Sequence, residues 1–135
     1  MDLDKALAIS ASGMSAQGTR LRVIAENLAN QDTTGAAPGA NPYQRKTITF
    51  ADRMDSAAGT QLVEVAGIGV DPSAFPLRYD PSNPAANPQG YVKLPNVNSF
   101  VEMMDMREAE RSYDANVSVM QATRSMLTRT IDLLK

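Results

Sequence analysis

The chain contains neither histidine nor cysteine among its 135 residues, and it has no tryptophan. Histidine is the commonest general base and metal ligand in proteins, and cysteine provides thiolate nucleophiles, disulfides and zinc ligands. Without these two residues, the usual groups of acid–base, covalent and metal-assisted catalysis are missing. We therefore predict a protein that is not an enzyme, with no catalytic site, no metal site and no cofactor.

An excess of one charge is also lacking, since 13 basic residues stand against 15 acidic ones and the longest basic run is Arg45-Lys46. A nucleic-acid backbone would find little to bind. No apolar run approaches the roughly 18 residues that cross a bilayer, and the first residues lack the basic start and apolar centre of a secretory signal. We predict no nucleic-acid partner, no small-molecule substrate, no direct membrane span and no cleaved signal peptide.

A group of acidic residues near the C-terminal end invites a metal or acid–base interpretation. Helical geometry spreads these carboxylates over more than one face, and Arg107 and Arg111 lie within pairing distance on the same helix. We interpret the group as solvated ion pairs. Its members are Glu102, Asp105, Glu108 and Glu110.

Proline is missing from both ends of the chain, because all eight prolines lie between Pro38 and Pro95. The two proline-free ends carry helical patterns over residues 3–30 and 98–134. In the first, positions spaced alternately by four and three residues follow the rhythm of a coiled-coil helix. Two glycines, Gly13 and Gly18, weaken that helix by about 1 kcal/mol each relative to alanine. The positions are Leu3, Leu7, Ser10, Met14, Gln17, Leu21, Ile24 and Leu28.

The C-terminal helix repeats this spacing and adds a second apolar stripe, Val119, Met126 and Leu133, beside the first. An apolar face that wide exceeds what one partner helix covers, which indicates contacts with other molecules. Ser99 and Glu102 fit a capping box at its start, and Asn98 is the alternative cap. The first stripe is Met103, Met106, Glu110, Tyr113, Val117, Met120, Arg124, Leu127, Ile131 and Leu134.

Between the helices, short runs of β-forming residues at 47–50, 61–65 and 75–79 are separated by glycine, proline, aspartate and asparagine. Residues 80–91 contain several turn signals and no apolar period, so we predict an extended proline-rich connector there. The predicted fold is mainly α: two long terminal helices paired as a coiled-coil-like hairpin, with a small irregular and β middle segment. Its divisions are residues 1–30, 31–97 and 98–135.

Several motifs carry a resemblance to a known family. Ala25-Glu26-Asn27-Leu28-Ala29-Asn30, followed by Thr33-Thr34-Gly35, resembles the N-terminal signature of the bacterial flagellar rod and hook family. Further motifs occur in the same order as in the proximal rod proteins of that family, over nearly the whole chain. They are Asn41-Pro42-Tyr43-Gln44-Arg45-Lys46, Tyr79-Asp80-Pro81-Ser82-Asn83-Pro84, Gly90-Tyr91-Val92, Pro95-Asn96-Val97-Asn98, Glu102-Met103-Met104-Asp105-Met106 and Arg111-Ser112-Tyr113-Asp114-Ala115-Asn116.

The resemblance implies a structural subunit of the flagellar basal-body proximal rod, made in the cytoplasm, exported through the flagellar type III apparatus and built into the shaft that crosses the periplasm. Its implied partners are copies of itself, the other proximal and distal rod proteins, and that export apparatus. The terminal helices would polymerise around the export channel and transmit torque. From the residues alone, a soluble coiled-coil adaptor or export chaperone is the alternative, since it too needs exposed apolar helix faces.

The helical pattern and the resemblance together assign a set of residues to subunit packing. Three tyrosines, Tyr43, Tyr79 and Tyr91, are expected to anchor the connector on a helix surface. The thin core predicts a free subunit that folds fully only on assembly. The set is Leu21, Ile24, Ala25, Asn27, Leu28, Asn30, Thr33, Pro42, Tyr43, Arg45, Tyr79, Asp80, Pro81, Gly90, Tyr91, Pro95, Asn96, Val97, Asn98, Glu102, Met103, Asp105, Met106, Arg111, Tyr113, Asn116, Val117, Met120, Leu127, Ile131 and Leu134.

Overall fold

Two long helices dominate the computed structural model, which describes residues 3–133. Helix α1 is Leu3–Ala29 and helix α2 is Ser99–Asp132. Their 27 and 34 residues correspond to about 40 and 51 Å at 1.5 Å per residue. The mainly helical fold with a small β part is confirmed. Leu134, which we assigned to the apolar stripe, lies outside the described residues.

Asparagine side chains end one helix and begin the other. At the end of α1, the Asn30 side-chain nitrogen donates at 2.9 Å to the Glu26 carbonyl, which also accepts from the Asn30 backbone amide at 3.1 Å. At the start of α2, the Asn98 side chain accepts from the backbone amides of Phe100 and Val101 at 3.1 and 3.3 Å. The Asn98 alternative is therefore confirmed.

The capping box of Ser99 and Glu102 is wrong, because both side chains are engaged elsewhere. The Ser99 hydroxyl contacts the Gln31 side chain, and the Glu102 carboxylate binds Arg45 and Asn27. A charge-assisted hydrogen bond is roughly twice as strong as a neutral one, so the guanidinium outcompetes the backbone amide for this carboxylate.

Four strands form two small sheets between the helices. Strand β1 is Lys46–Asp55 and strand β2 is Thr60–Val70, and the two pair with each other. Strand β3, Leu77–Tyr79, pairs antiparallel with strand β4, Tyr91–Lys93, in the register Leu77↔Lys93, Arg78↔Val92 and Tyr79↔Tyr91. Strands in the runs predicted at 47–50, 61–65 and 75–79 are thereby confirmed, whereas β4 was not predicted.

The proline-rich stretch between β3 and β4 is not the extended connector that we predicted. It folds into consecutive turns whose ends meet, since the Asp80 amide donates to the Gly90 carbonyl at 2.9 Å. The reason is side-chain chemistry: Asn83 accepts from the Ala85 amide, and Asn87 accepts from the amides of Gln89 and Tyr91. Such local bonds to asparagine replace the backbone partners that an extended segment would lack.

The described chain forms two compact units, each with a stretch of both helices. The first contains residues 3–21, 49–67 and 107–133, and the second contains residues 22–48 and 68–106. In the first unit the buried residues include Ser10, Ala16, Ala109 and Thr123. In the second they include Val23, Ile24, Asn27, Val92 and Glu102.

The buried face of α2 differs from the predicted apolar stripe. Ala109 is 0% exposed, whereas Tyr113 and Ile131 are 37% and 49% exposed. Small and polar residues allow two helices to approach closely, and the larger side chains then lie outside the contact. The heptad pattern therefore identified the helix but only part of its inner face: Glu102, Ala109 and Thr123 are buried one position before a predicted stripe member, whereas the stripe members Met106, Met120 and Leu127 are half-buried. Within residues 3–133, neither helix has a stretch long and apolar enough to cross a membrane.

Candidate functional site

The second compact unit is organised around the buried side chain of Asn27, which is 1% exposed. Its amide nitrogen donates to the Lys46 carbonyl at 2.9 Å and to a Glu102 carboxylate oxygen at 3.2 Å. Its carbonyl oxygen accepts from the Lys46 amide at 2.8 Å and from the Tyr43 hydroxyl at 2.9 Å. One asparagine on α1 thus holds the start of β1, the segment before it and the first turns of α2. We call these residues, with those that bind them below, the Asn27–Glu102 cluster.

Arg45 neutralises the carboxylate of Glu102, which is 0% exposed. The Arg45 Nε donates to Glu102 Oε1, while its two terminal nitrogens lie 3.5 Å from Asp71 and 3.8 Å from Asp105. Burial lowers the pKa of Arg45, but the hydrogen bond and the charge of Glu102 outweigh it, and the pKa is raised above its ordinary value. The guanidinium is therefore a fixed charge shared by three carboxylates.

Asn96 joins the segment before α2 to the segment after β2. Its side-chain oxygen accepts from the Arg45 backbone amide at 2.8 Å. Its nitrogen donates to the Asp71 carbonyl at 3.0 Å and to the Ser73 carbonyl at 3.2 Å. Gln44 donates to the same Asp71 carbonyl at 2.7 Å. The hydrogen bond from the Ser73 amide lowers the pKa of Asp71, which keeps this carboxylate charged beside Arg45.

An ion pair at the solvent edge completes the cluster. The Lys46 ammonium lies 2.7 Å from Glu26, which also pairs with Arg22 at 3.0 Å. The hydrogen bond with Lys46 lowers the pKa of Glu26, and the same bond raises the pKa of Lys46. Burial raises the pKa of Tyr43, so its hydroxyl stays protonated and donates to Asn27.

The chemistry of the cluster is that of a structural joint. Its carboxylates are bound by a guanidinium and amides. Among residues 3–133, no group of three acidic side chains is arranged to hold a metal ion. Glu102, Asp105 and Glu108 of the acidic group form ion pairs with partners from elsewhere in the chain: Arg45 for the first two, and Arg20 for Glu108 at 3.6 Å. The prediction of solvated pairs was wrong for Glu102, which is buried.

Many large apolar side chains of α2 are exposed. In the second unit, Phe100, Met103 and Met104 are 71%, 52% and 57% exposed. In the first unit, Val119, Met126 and Leu133 recur every seven residues along one exposed line, which we call the outer face of α2, and Tyr113 and Ile131 are exposed on another side of the helix. Exposed apolar side chains in this number along one helix indicate sites of protein contact.

The structure distributes the predicted packing residues over several places. Asn27, Tyr43, Arg45, Asn96, Glu102 and Asp105 meet in the Asn27–Glu102 cluster. Ile24, Pro42 and Pro95 are buried in the same unit, Leu28 and Val97 are half-buried there, and Asn30 accepts from Thr33. Tyr79, Asp80, Pro81, Gly90 and Tyr91 belong to the β3–β4 hairpin. Ala25, Asn98, Met103, Arg111, Tyr113 and Ile131 are exposed, and Leu21, Met106, Asn116, Val117, Met120 and Leu127 are half-buried.

The three tyrosines that we expected to anchor the connector make two kinds of contact. Tyr43 bonds to α1, as expected. Tyr79 and Tyr91 instead contact each other across β3 and β4, with ring centroids 5.3 Å apart in an edge-to-face arrangement, and both are exposed. Helix anchoring by these two was therefore wrong, because direct opposition in the strand register brings the rings together.

Sequence reasoning missed Glu26, Gln44, Lys46 and Asp71 as members of the cluster. Glu26 and Lys46 lie within the family motifs, and their opposite charges could have indicated that they form an ion pair. Gln44 donates to the backbone carbonyl of Asp71, and the Asp71 carboxylate pairs with Arg45. These partners come from distant segments, and residue spacing in the sequence does not indicate such contacts.

Comparison with known proteins gives the chain a family. A model described as "Flagella basal body rod protein" matches residues 7–36, and one described as "Flagellar basal body rod FlgEFG protein C-terminal" matches residues 89–133. The chain is 53% identical over 133 residues to the flagellar basal-body rod protein FlgC of Agrobacterium fabrum, with 98% of this chain and 96% of that protein covered. This chain belongs to the FlgC family.

More distant FlgC proteins agree over the same length. The FlgC of Bacillus subtilis is 39% identical, with 96% of each chain covered. The FlgC of Escherichia coli O157:H7 is 40% identical, with 93% of this chain and 92% of that protein covered. Membership of the FlgC family confirms that the chain is a structural subunit of the flagellar basal-body rod, assembled with other rod proteins. Neither family model nor any of these relatives supports the adaptor or chaperone alternative.

Proposed function

We propose that this rod subunit polymerises through the exposed apolar face of α2, while the Asn27–Glu102 cluster fixes the helix ends and the hairpins within one copy. The proposal rests on where the polar and the apolar side chains lie. Polar side chains are bonded inside the subunit, and Val119, Met126 and Leu133 are left exposed along one line of α2. A structural role needs no catalytic group, and we propose none.

Copies of the same chain and other proximal and distal rod proteins are the proposed partners on this face. In a helical shaft every subunit repeats the same contact, so one apolar stripe can serve as a heterologous interface that does not close on itself. We further propose that the chain reaches the periplasm through the flagellar type III export apparatus and forms part of the torque-bearing wall around the export channel.

Burial on assembly also supports coupled folding. The fully buried residues of the two helices in the first unit are small ones such as Ala16 and Ala109, which bury little apolar area. Ordering the long helices therefore becomes favourable only when neighbours cover the outer stripe. Circular dichroism of the purified chain at low concentration is expected to show less helix than the structure. Complete and cooperative helicity in the monomer would contradict this mechanism.

Two exposed positions on α2 test the packing face. Val119→Ser and Met126→Gln together are expected to abolish rods in a strain whose own gene is deleted in frame, as judged by electron microscopy of isolated basal bodies. Ser118→Ala with Ser125→Ala is the matched control, because both serines are exposed on the same helix and are not apolar. Rings without rods for the first pair, and complete rods for the second, are the expected results. Normal rods in both would reject the outer face of α2 as the interface.

A further inference from the structure

The helix contact in the first compact unit has little surface relief. Its buried members include Ser10, Ala16, Ala109 and Thr123, each at most 3% exposed. The Thr123 hydroxyl bonds to the Val119 carbonyl of its own helix at 2.8 Å, so it makes no directional contact across the pair. Register between helices is normally fixed by large side chains that insert into holes on the partner. Small residues leave that register weakly specified.

One place in this contact does have a projecting side chain and a matching hollow. Asn116 projects from α2 onto Gly13 of α1. Its amide nitrogen donates to the Ser112 carbonyl at 2.9 Å, which holds the side chain against its own helix. A Cβ atom placed on Gly13 would lie 2.9 Å from that nitrogen and 3.0 Å from the Asn116 oxygen. Cβ atoms essentially never lie this close to another atom, so a side chain at position 13 fits only if the Asn116 side chain leaves its bond to Ser112 and moves.

The other glycine of α1 does not have this role. A Cβ atom on Gly18 would meet no described atom within 4 Å. If α2 slid by one turn, which is three or four residues, Asn116 would face Ile9 or Ser10 in one direction and Ala16 or Gln17 in the other, and all four carry a Cβ atom. The hollow at Gly13 therefore accepts Asn116 in one axial position.

We infer that Asn116 and Gly13 form a register lock, which fixes how far α1 and α2 are displaced along each other in this unit. The ion pair between Arg20 and Glu108 cannot do this alone, because the Glu108 side chain is 71% exposed and exposed pairs contribute little. A slip of one turn would move the outer apolar stripe by about 5.4 Å relative to α1. Copies with different registers would then present different faces to a neighbour.

Two alanine substitutions in α1 form a matched pair of tests. Each removes a glycine from a helix interior, which by helix propensity alone raises stability. Gly18→Ala is expected to raise the melting temperature by about 3–6 °C. Gly13→Ala is expected to lower it, because the new methyl group meets Asn116. Melting is followed by circular dichroism on the full chain in trimethylamine N-oxide, at a concentration that brings the parent to the helix content of the structure.

A double variant separates a clash with Asn116 from other effects of Gly13→Ala. In Gly13→Ala with Asn116→Ala, the methyl group gains room, and the melting temperature is expected to return to within about 2 °C of the Gly18→Ala variant, since the propensity gain is then expressed. If Gly13→Ala melts as high as Gly18→Ala, or if the double variant stays at the Gly13→Ala value, the lock is rejected.

Distance measurement gives a readout of register itself. The chain has no cysteine, so Ser15→Cys with Ser118→Cys adds two unique sites for spin labels, and both serines are exposed in this unit. The parent and Gly18→Ala are expected to give one narrow distance distribution. Gly13→Ala is expected to shift or broaden it by about 5 Å, the rise of one helical turn. An unchanged distribution in Gly13→Ala would also reject the lock, whatever rods the variant forms in cells.

Discussion

In the unit that contains the Asn27–Glu102 cluster, the helices are joined by bonded polar side chains from α1, α2 and the segments between them. In the other unit they touch through small residues, and Gln17 even keeps a buried oxygen for which no hydrogen-bond partner is described. Buried polar networks specify one geometry and are intolerant of the loss of a member. Contacts between small residues need little free energy to form, and little to move to another register. We therefore expect the unit of residues 3–21, 49–67 and 107–133 to depend on neighbouring subunits more than the unit that contains the Asn27–Glu102 cluster.

Removal of the buried carboxylate of Glu102 is the strongest test of this difference between the two units. Glu102→Ala leaves Arg45 without its main partner in a half-buried site, and the free energy of unfolding is expected to fall by about 3–5 kcal/mol. Urea unfolding of the chain measures the change. Glu108→Ala is the control, because that side chain is 71% exposed, and it is expected to cost about 0–1 kcal/mol. Equal losses for the two variants would show that the cluster has no special weight.

Asn27 is the next largest test. Asn27→Ala removes the partners of the Lys46 amide, the Lys46 carbonyl and the Tyr43 hydroxyl, and is expected to cost about 2–3 kcal/mol. Tyr43→Phe removes one of these bonds and keeps the ring, so about 1 kcal/mol is expected. Urea unfolding at neutral pH ranks the two. A larger loss for Tyr43→Phe than for Asn27→Ala would contradict the central place of the asparagine.

A substitution at Tyr91 tests whether the β3–β4 hairpin contributes to assembly. Tyr91→Ala removes the edge-to-face contact with Tyr79, which is worth about 0.5–1.5 kcal/mol. We expect it to reduce the amount of the chain in isolated basal bodies more than the amount exported. Immunoblots of both fractions measure the effect, and Tyr91→Phe is the control that keeps the ring. Equal loss of export and of assembly would mean that the tyrosine has another role.

The smallest expected effect is a pH dependence at the solvent edge of the cluster. The pKa of Glu26 lies below its ordinary value of 4.5 because of the hydrogen bond with Lys46. A carboxylate whose pKa is lowered by folding stabilises the fold above its unfolded pKa, and this contribution is lost as the pH falls through the folded value. The difference in stability between the parent and Glu26→Gln is therefore expected to be constant near neutral pH and to shrink below about pH 4.5. A difference that stays constant down to pH 3 would contradict it.

Periodicity and the position of proline predicted the helices and strands well, because these depend on residues close in the chain. The inner face of α2 was predicted only in part, because the pattern weights Met103 and Tyr113 above Ala109, whereas close approach favours the small residue. The motifs predicted six members of the Asn27–Glu102 cluster but not their contacts. Asn27 and Glu102 are 75 positions apart, and no local rule connects them.

That separation along the chain bears on the order of folding. The turns between β3 and β4 are closed by contacts two to four residues apart, such as those of Asn83 and Asn87, and turns of this size form within about microseconds. The bond from Asn27 to Glu102 must wait until almost the whole chain is available, and it bears the entropy of closing a long loop. In a chain that emerges from its N-terminal end, we therefore expect the β3–β4 hairpin to form before the bond between Asn27 and Glu102.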